Sequence, residues 1–225
     1  MNIVKDGILP LCLLGAATFA QGAAVLLNDN FNNENGGNGA GVYSGFANFV
    51  AADIDLLAPG FFFNLCQSAG DNTPCLDMEG NGNGSLTTRT AYTLPTGTVG
   101  LRFDLAGSQR GGLDKNVTVS LITTLGASLY SEVFTLPSSA PFSTVSRNIS
   151  LGSTETAFLR FQSSGVADSF GLLLDNVVLI ADVAPNAVPE PSSYGLVAAS
   201  LAALTWVRRR RSGRSINGKQ KASVN

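Results

Sequence analysis

Apolar residues in the middle of this chain recur at every second position, in short runs cut by clusters of turn-forming residues. Val99-Gly100-Leu101-Arg102-Phe103-Asp104-Leu105 places its apolar side chains on one face and Arg102 and Asp104 on the other, the pattern of a half-buried strand. In Ala157-Phe158-Leu159-Arg160-Phe161-Gln162 the alternation is less clean, with Phe158, Arg160 and Gln162 opposed to Leu159 and Phe161. The run Leu172–Ile180 is apolar on both faces and is broken only by Asp175-Asn176, as in a strand covered on both sides. Pro95, Gly111-Gly112 and Pro137-Ser138-Ser139 separate the runs. The strands expected are Val25–Asn28, Gly41–Phe46, Leu86–Tyr92, Thr98–Leu105, Asn116–Thr123, Ser128–Leu136, Ser143–Ser150, Thr156–Ser163 and Gly171–Ile180. Their spacing predicts an all-β chain with a single β-sandwich over residues 23–184. No internal repeat, dinucleotide fingerprint or second domain interrupts it.

The two ends follow a different pattern. Residues 1–22 read as a signal peptide that forms a signal helix for Sec export. Lys5 supplies a basic start, Ile8–Phe19 an apolar core, and Thr18-Phe19-Ala20 a small-residue cleavage site, with cleavage after Gly22 or Ala23 nearly as acceptable. Near the other end, Pro189 and Pro191 fix φ and bias Val188 and Glu190 toward extended backbone, so residues 185–193 form an open linker. From Tyr194 to Val207 the chain is apolar, and Arg208-Arg209-Arg210-Arg211 stops the run. A helix over those 14 residues is about 21 Å long, short of the roughly 20 residues a full span needs. Trp206 and the four arginines anchor its boundary. Residues 194–211 are thus a short hydrophobic helix with a basic stop, and residues 212–225 a disordered basic tail.

Val188-Pro189-Glu190-Pro191, the apolar run and Arg208, Arg209, Arg210 and Arg211, in that order, resemble the PEP-CTERM sorting tail of Gram-negative bacteria, a segment that also carries an ice-binding-protein C-terminal name. The resemblance implies recognition by an exosortase and transient anchoring in the inner membrane. Delivery to the cell surface or an extracellular, exopolysaccharide-rich matrix follows from it. Phe31 near the start, Leu101-Arg102-Phe103-Asp104, and Leu174-Asp175-Asn176-Val177 near the end resemble the jelly-roll domains common in such proteins. That second likeness implies a jelly-roll-like sandwich, similar in outline to carbohydrate-binding modules, with first and last strands side by side. It also implies that an acid near the final strand can help to hold Ca²⁺.

The formal charge of −2 hides a strong polarity. Between residues 21 and 188 there are 6 basic against 14 acidic residues, a net charge of −8. Such a body does not seek nucleic acid. Cys12 lies in the signal peptide, which leaves Cys66 and Cys75 as a close pair in an oxidising compartment, where a disulfide is expected. Closing a loop of about ten residues contributes roughly 2.5–3 kcal/mol in the chain-entropy treatment.

The chain has no histidine, which removes Ser-His-Asp and Cys-His catalysis and His-ligated zinc. A hydrolase would have to work through carboxylates, and Asp53 with Asp55 or Asp77 with Glu79 have the residue types. Acids two residues apart are commonplace, so solvated loop acids are the expectation and no catalytic residue is assigned. Asp29 and Asp175 are candidate ligands of a structural Ca²⁺, with Asn28, Asn30 and Glu34 close by in sequence and Asp71, Asp77 and Glu79 near the cysteines. The competing reading has Asp29 and Asn30 making a turn and Asp175 tying backbone at a strand bend. No other cofactor is expected. Tyr43, Tyr92, Tyr130 and Phe61-Phe62-Phe63 are the rings a sugar could stack on, and core packing is the expectation for the phenylalanines. The reading is an exported, non-enzymatic sandwich with a structural, adhesive or weak carbohydrate-binding role. The alternative is a carboxylate-dependent glycan hydrolase or lyase.

Overall fold

The structure, a computed structural model, describes residues 22–61, 64–66 and 73–182. The signal helix, the linker, the short hydrophobic helix and the basic tail expected from the sequence lie outside the described residues. Among the described residues there are twelve strands: β1 (Ala23–Asp29), β2 (Phe49–Ala52), β3 (Asp55–Leu57), β4 (Cys75–Asp77), β5 (Ser85–Thr88), β6 (Tyr92–Leu94), β7 (Gly97–Ala106), β8 (Lys115–Thr123), β9 (Ser128–Leu136), β10 (Ser143–Leu151), β11 (Glu155–Ser164) and β12 (Leu173–Asp182). They form two antiparallel sheets packed as a jelly-roll-like β-sandwich. The first runs β10-β7-β12-β4-β3, with β1 also paired to β12. The second runs β2-β5-β11-β8-β9, with β6 also paired to β11.

The long strands follow the period-two pattern closely. Val99, Leu101, Phe103 and Leu105 of β7 face Val117, Val119 and Leu121 of β8 and Leu159 and Phe161 of β11 across one core. Phe103 joins the sheets directly, with the rings of Phe161 at 5.3 Å and Phe134 at 5.4 Å, both edge-on. Edge-to-face contacts of this kind add about 0.5–1.5 kcal/mol to the burial itself. β1 pairs with β12 from Ala23↔Asp182 to Asp29↔Val177, so first and last strands do lie side by side.

The polar pair Asp175-Asn176 in the apolar run is a bulge. The β12–β7 register shifts between Asp175 and Val178, and Asn176 adopts a φ of 51°. Before the bulge Leu172, Leu173, Leu174 and Asp175 are all buried, while beyond it Val177, Leu179 and Ala181 alternate with half-buried partners. The outer side of the first stretch is covered by a second apolar cluster of Leu57, Cys66, Cys75, Ala106 and Leu173, against which Leu65 and Phe142 pack. A disulfide joins Cys66 to Cys75 within it.

Two expectations fail locally. Gly41–Phe46 is not a strand: Val42 has a φ of 46°, its amide donates to Asp55 Oδ1 at 2.7 Å, and the Tyr43 amide donates to the Ile54 carbonyl. Its two rings, Tyr43 and Phe46, pack edge-on against each other rather than alternating. Leu86–Tyr92 is not one strand but the end of β5 and the start of β6, which meet different parts of β11. The short strands β2, β3 and β4 have too few residues to show a period.

Candidate functional site

At one end of the sandwich four connections meet: residues 78–84, 107–114, 137–142 and 165–172. The Gly107 amide donates to the Ala140 carbonyl at 2.9 Å and the Gln109 amide to the Ser138 carbonyl at 2.8 Å. The Met78 amide donates to the Leu172 carbonyl at 3.0 Å, and Asn83 Nδ2 to the Gly165 carbonyl at 3.1 Å. The approach is close enough that Gly171 has no room for a side chain, since a Cβ there would stand 2.5 Å from both Asp77 Oδ1 and the Glu79 amide.

Two buried ion pairs hold this end together. Asp77 is fully buried and pairs with Arg110 Nη2, while its Oδ1 accepts from the Glu79 amide at 3.0 Å. Burial pushes the Asp77 carboxyl up to about 6 against the pull of the guanidinium. Glu79 is also fully buried, with Ser163 Oγ donating to one oxygen at 3.0 Å and Lys115 Nζ to the other at 3.1 Å. Lys115 Nζ also donates to the Val166 carbonyl at 2.5 Å and to Asp168 Oδ1 at 2.6 Å, so its three protons have three acceptors. Burial works against the Lys115 charge, yet the hydrogen bonds to Asp168 and Glu79 carry its pKa upward.

Above the disulfide cluster lies a groove made of two adjoining hollows of about 290 and 510 Å³. Among the described residues it is lined by Asn64, Leu65, Gln109, Arg110, Phe142 and Phe170, with Pro141 at its margin. Leu65 and Phe142 rest on the buried cluster and so give the groove an apolar floor. Arg110 lies 4.7 Å from the centre of the Phe170 ring, which remains 37% exposed. The same arginine thus joins the groove to buried Asp77.

The acids singled out in the sequence are placed differently from their spacing. Asp77 and Glu79 do not form a pair with each other, since each takes a separate cation. Asp55 is instead the cross-strand partner of Asp77, and its Oδ1 accepts from the Val42 amide. Asp53 sits in the turn before β3 with a φ of 51°, and its carbonyl accepts from the Gly80 amide at 2.7 Å.

Asp29 and Asp175 are on opposite faces of the first sheet. Asp29 is in register with inward Val177, whereas Asp175 shares the outer side with Leu173. Asp29 accepts from the Phe31 amide at 2.9 Å and Asn48 Nδ2 at 3.0 Å, Glu34 from the Ala47 amide at 2.9 Å, and Asp175 from the Asn176 amide at 2.7 Å. The structure therefore does not bring the two candidate calcium ligands together. Among the described residues no three acids or cysteines cluster in a way that could hold a metal ion.

The tyrosines serve packing: Tyr43 and Tyr92 lie against the core, and Tyr130 donates to Glu132 at 2.6 Å. Phe61 packs over Gly39. Phe62, Phe63, Asp71 and the sorting residues Val188 to Pro191 and Arg208 to Arg211 lie outside the described residues. Phe142, Phe170, Arg110 and Lys115 were not marked by any motif. The one local signal was that Lys115 is the sole lysine of the body.

Residues 187–211 match the PEP-CTERM protein-sorting motif. The match covers all eight residues of the expected address. The motif implies export, processing by an exosortase and membrane-associated sorting to the cell surface. Comparison with the curated proteins gives no match. Among solved structures, the K3 cleaved adhesin domain of Lys-gingipain from Porphyromonas gingivalis is similar over 70% of this chain and 100% of its own, at 21% identity and a TM-score of 0.44. The CBM22-1 xylan-binding domain from Paenibacillus barcinonensis is similar over 74% of this chain and 100% of its own, at 14% identity and a TM-score of 0.42.

Proposed function

We propose that the chain is exported by Sec in a Gram-negative bacterium and works at the cell surface or in the extracellular matrix through adhesion or weak glycan contact, not catalysis. The observation that carries this reading is the groove beside the disulfide. It combines a fixed apolar floor, an exposed ring at Phe170, and the polar groups of Gln109, Asn64 and Arg110 at its rim. Sugars offer flat C–H faces together with hydroxyls, and such a mixture of ring and polar groups suits them. The two acids that the sequence singles out at this end, Asp77 and Glu79, do not suit hydrolysis. Asp77 is neutralised by Arg110 and Glu79 by Lys115, and neither is open to solvent. A glycosidase needs one carboxyl to reach the leaving oxygen and another to reach the anomeric carbon or a water.

The test is affinity electrophoresis of the full chain through gels containing neutral polysaccharides, with Phe170→Ala as the variant and the melting temperature as a check on folding. Retardation by at least one polymer is expected, weakened roughly tenfold by Phe170→Ala with melting unchanged, as for the loss of one well-packed contact. Equal retardation of both proteins would remove the groove from the account. No retardation on any polymer would remove glycan contact altogether.

A further inference from the structure

The outer face of the second sheet carries an arginine that has no acid partner among the described residues. Inward positions of β11 are Ala157, Leu159, Phe161 and Ser163, so Phe158, Arg160 and Gln162 point outward. Register places Thr87 of β5 on one side of Arg160 and Ser120 of β8 on the other, with Val50 and Ser131 beyond them. The next row is Ala52, Ser85, Gln162, Thr118 and Val133. Five strands at the usual separation make this face about 19 Å wide. It is a shallow surface of hydroxyls and an amide flanked by exposed Val50 and Val133, with the half-buried Phe158 ring two residues from the guanidinium.

Arg160 is held in place without being neutralised. Its Nη2 donates to Gln162 Oε1 at 2.5 Å. Gln162 is itself fixed, since its amide nitrogen donates to the carbonyls of Gly84 at 3.0 Å and Ser163 at 3.1 Å. The Arg160 Nε is buried and has no acceptor. Of the six cations among the described residues, Arg110, Lys115 and Arg147 form ion pairs with acids. Arg160, like Arg89 and Arg102, forms none among those residues, although acids outnumber bases in the body by more than two to one. A guanidinium whose hydrogen bond goes to a neutral amide oxygen keeps donor capacity at its outer nitrogens, which an anionic acceptor on this face can take up.

We infer that this face binds an anionic polysaccharide through its carboxylates, with Arg160 as the charged clamp. The planar fork of arginine suits a carboxylate. Phe158 gives the sugar ring an apolar surface, and the half-buried Thr87, Ser85 and Thr118 offer hydroxyls along two rows. The net charge of −8 limits the ligand to a polymer of modest charge density. A uronic-acid glycan, which carries carboxylates and no sulfates, is the mildest polyanion of this kind. This site shares only the polysaccharide with the reading of the groove, from which it is separate in residues.

The experiment titrates the full chain in mild detergent with oligogalacturonate and with its methyl ester, which keeps the backbone and removes the charge. Three proteins are compared: wild type, Arg160→Gln, and Arg102→Gln, which loses the same charge from an exposed position on the other sheet. Oligogalacturonate is expected to bind wild type and Arg102→Gln alike and Arg160→Gln at least tenfold more weakly, with unchanged melting temperatures. Equal loss in both variants would show a net-charge effect and overturn the assignment. Equal binding of acid and ester by wild type and Arg160→Gln would also overturn it, while leaving glycan contact by the groove intact. Absence of binding to either form would reject the site directly.

Discussion

Two ion-paired regions use the same chemistry at opposite degrees of burial, and they should respond to disturbance in opposite ways. At the loop end, Lys115 is 2% exposed and Glu79 fully buried. At the open side of the sandwich, Arg147 of β10 grips Glu132 of β9 with two hydrogen bonds, Nε to Oε2 at 2.7 Å and Nη2 to Oε1 at 2.6 Å, with side chains 39% and 34% exposed. Arg147 also covers the Phe134 ring at 5.3 Å. The exposed pair closes one edge of the sandwich over an aromatic side chain, and solvent screens most of its attraction. The buried pairs specify how four connections meet, and they do so at a desolvation cost. The first kind of contact can be lost with little consequence. The second kind cannot be half removed.

Lys115→Met should therefore have the largest effect. It leaves Glu79 buried without a cation, and a loss of about 3–5 kcal/mol is expected by chemical denaturation. Adding Glu79→Gln to Lys115→Met should recover a large part of that loss. If the single variant is as stable as wild type, the network is not specifying the loop end.

The second prediction sets the signs of the two regions against each other. The Asp77 carboxyl is raised to about 6 from 3.8, mainly by burial, so the folded state holds its proton more tightly than the unfolded state does. Stability from this group is present below about pH 4 and is lost as pH rises through about 6, by about 3 kcal/mol. Glu132 is lowered to about 2 from 4.5, first by its hydrogen bond from Arg147 and then by that from Tyr130. Its contribution is present above about pH 4.5 and disappears as pH falls through about 2. Melting followed from pH 4 to 7 should fall in wild type and stay flat in Asp77→Asn. An equally steep fall in the variant would show that another group sets the slope.

The smallest effect belongs to Arg147→Ala, a loss of about 1 kcal/mol or less that shrinks further in high salt. A loss as large as that of Lys115→Met would erase the distinction between the two regions.

The difference also separates what the sequence made legible from what it did not. Strands β7 to β12 were readable to within two residues because each has nine or ten positions on which to show alternation. The disulfide was readable because only two cysteines follow residue 22, nine residues apart. β3 and β4 were hidden because three residues buried on both faces show no period. The loop end was hidden for another reason. Arg110 lies 33 residues from Asp77, and Lys115 lies 36 from Glu79 and 53 from Asp168. Spacing along the chain suggested Asp77 with Glu79, while the sheet put Asp55 beside Asp77 and loop closure gave each buried acid its own cation. The address at residues 187–211 needed no folding to be read, because it acts as a local segment.

The central claim is that the acids of the exported body serve architecture and not turnover. Reducing-end release from neutral and uronic-acid polysaccharides, measured for wild type and for Asp77→Asn, tests it most directly. No release by either protein is the predicted result, together with retained binding. Release by wild type that Asp77→Asn abolishes, in a variant that still folds, would contradict the account and make Asp77 part of an active site.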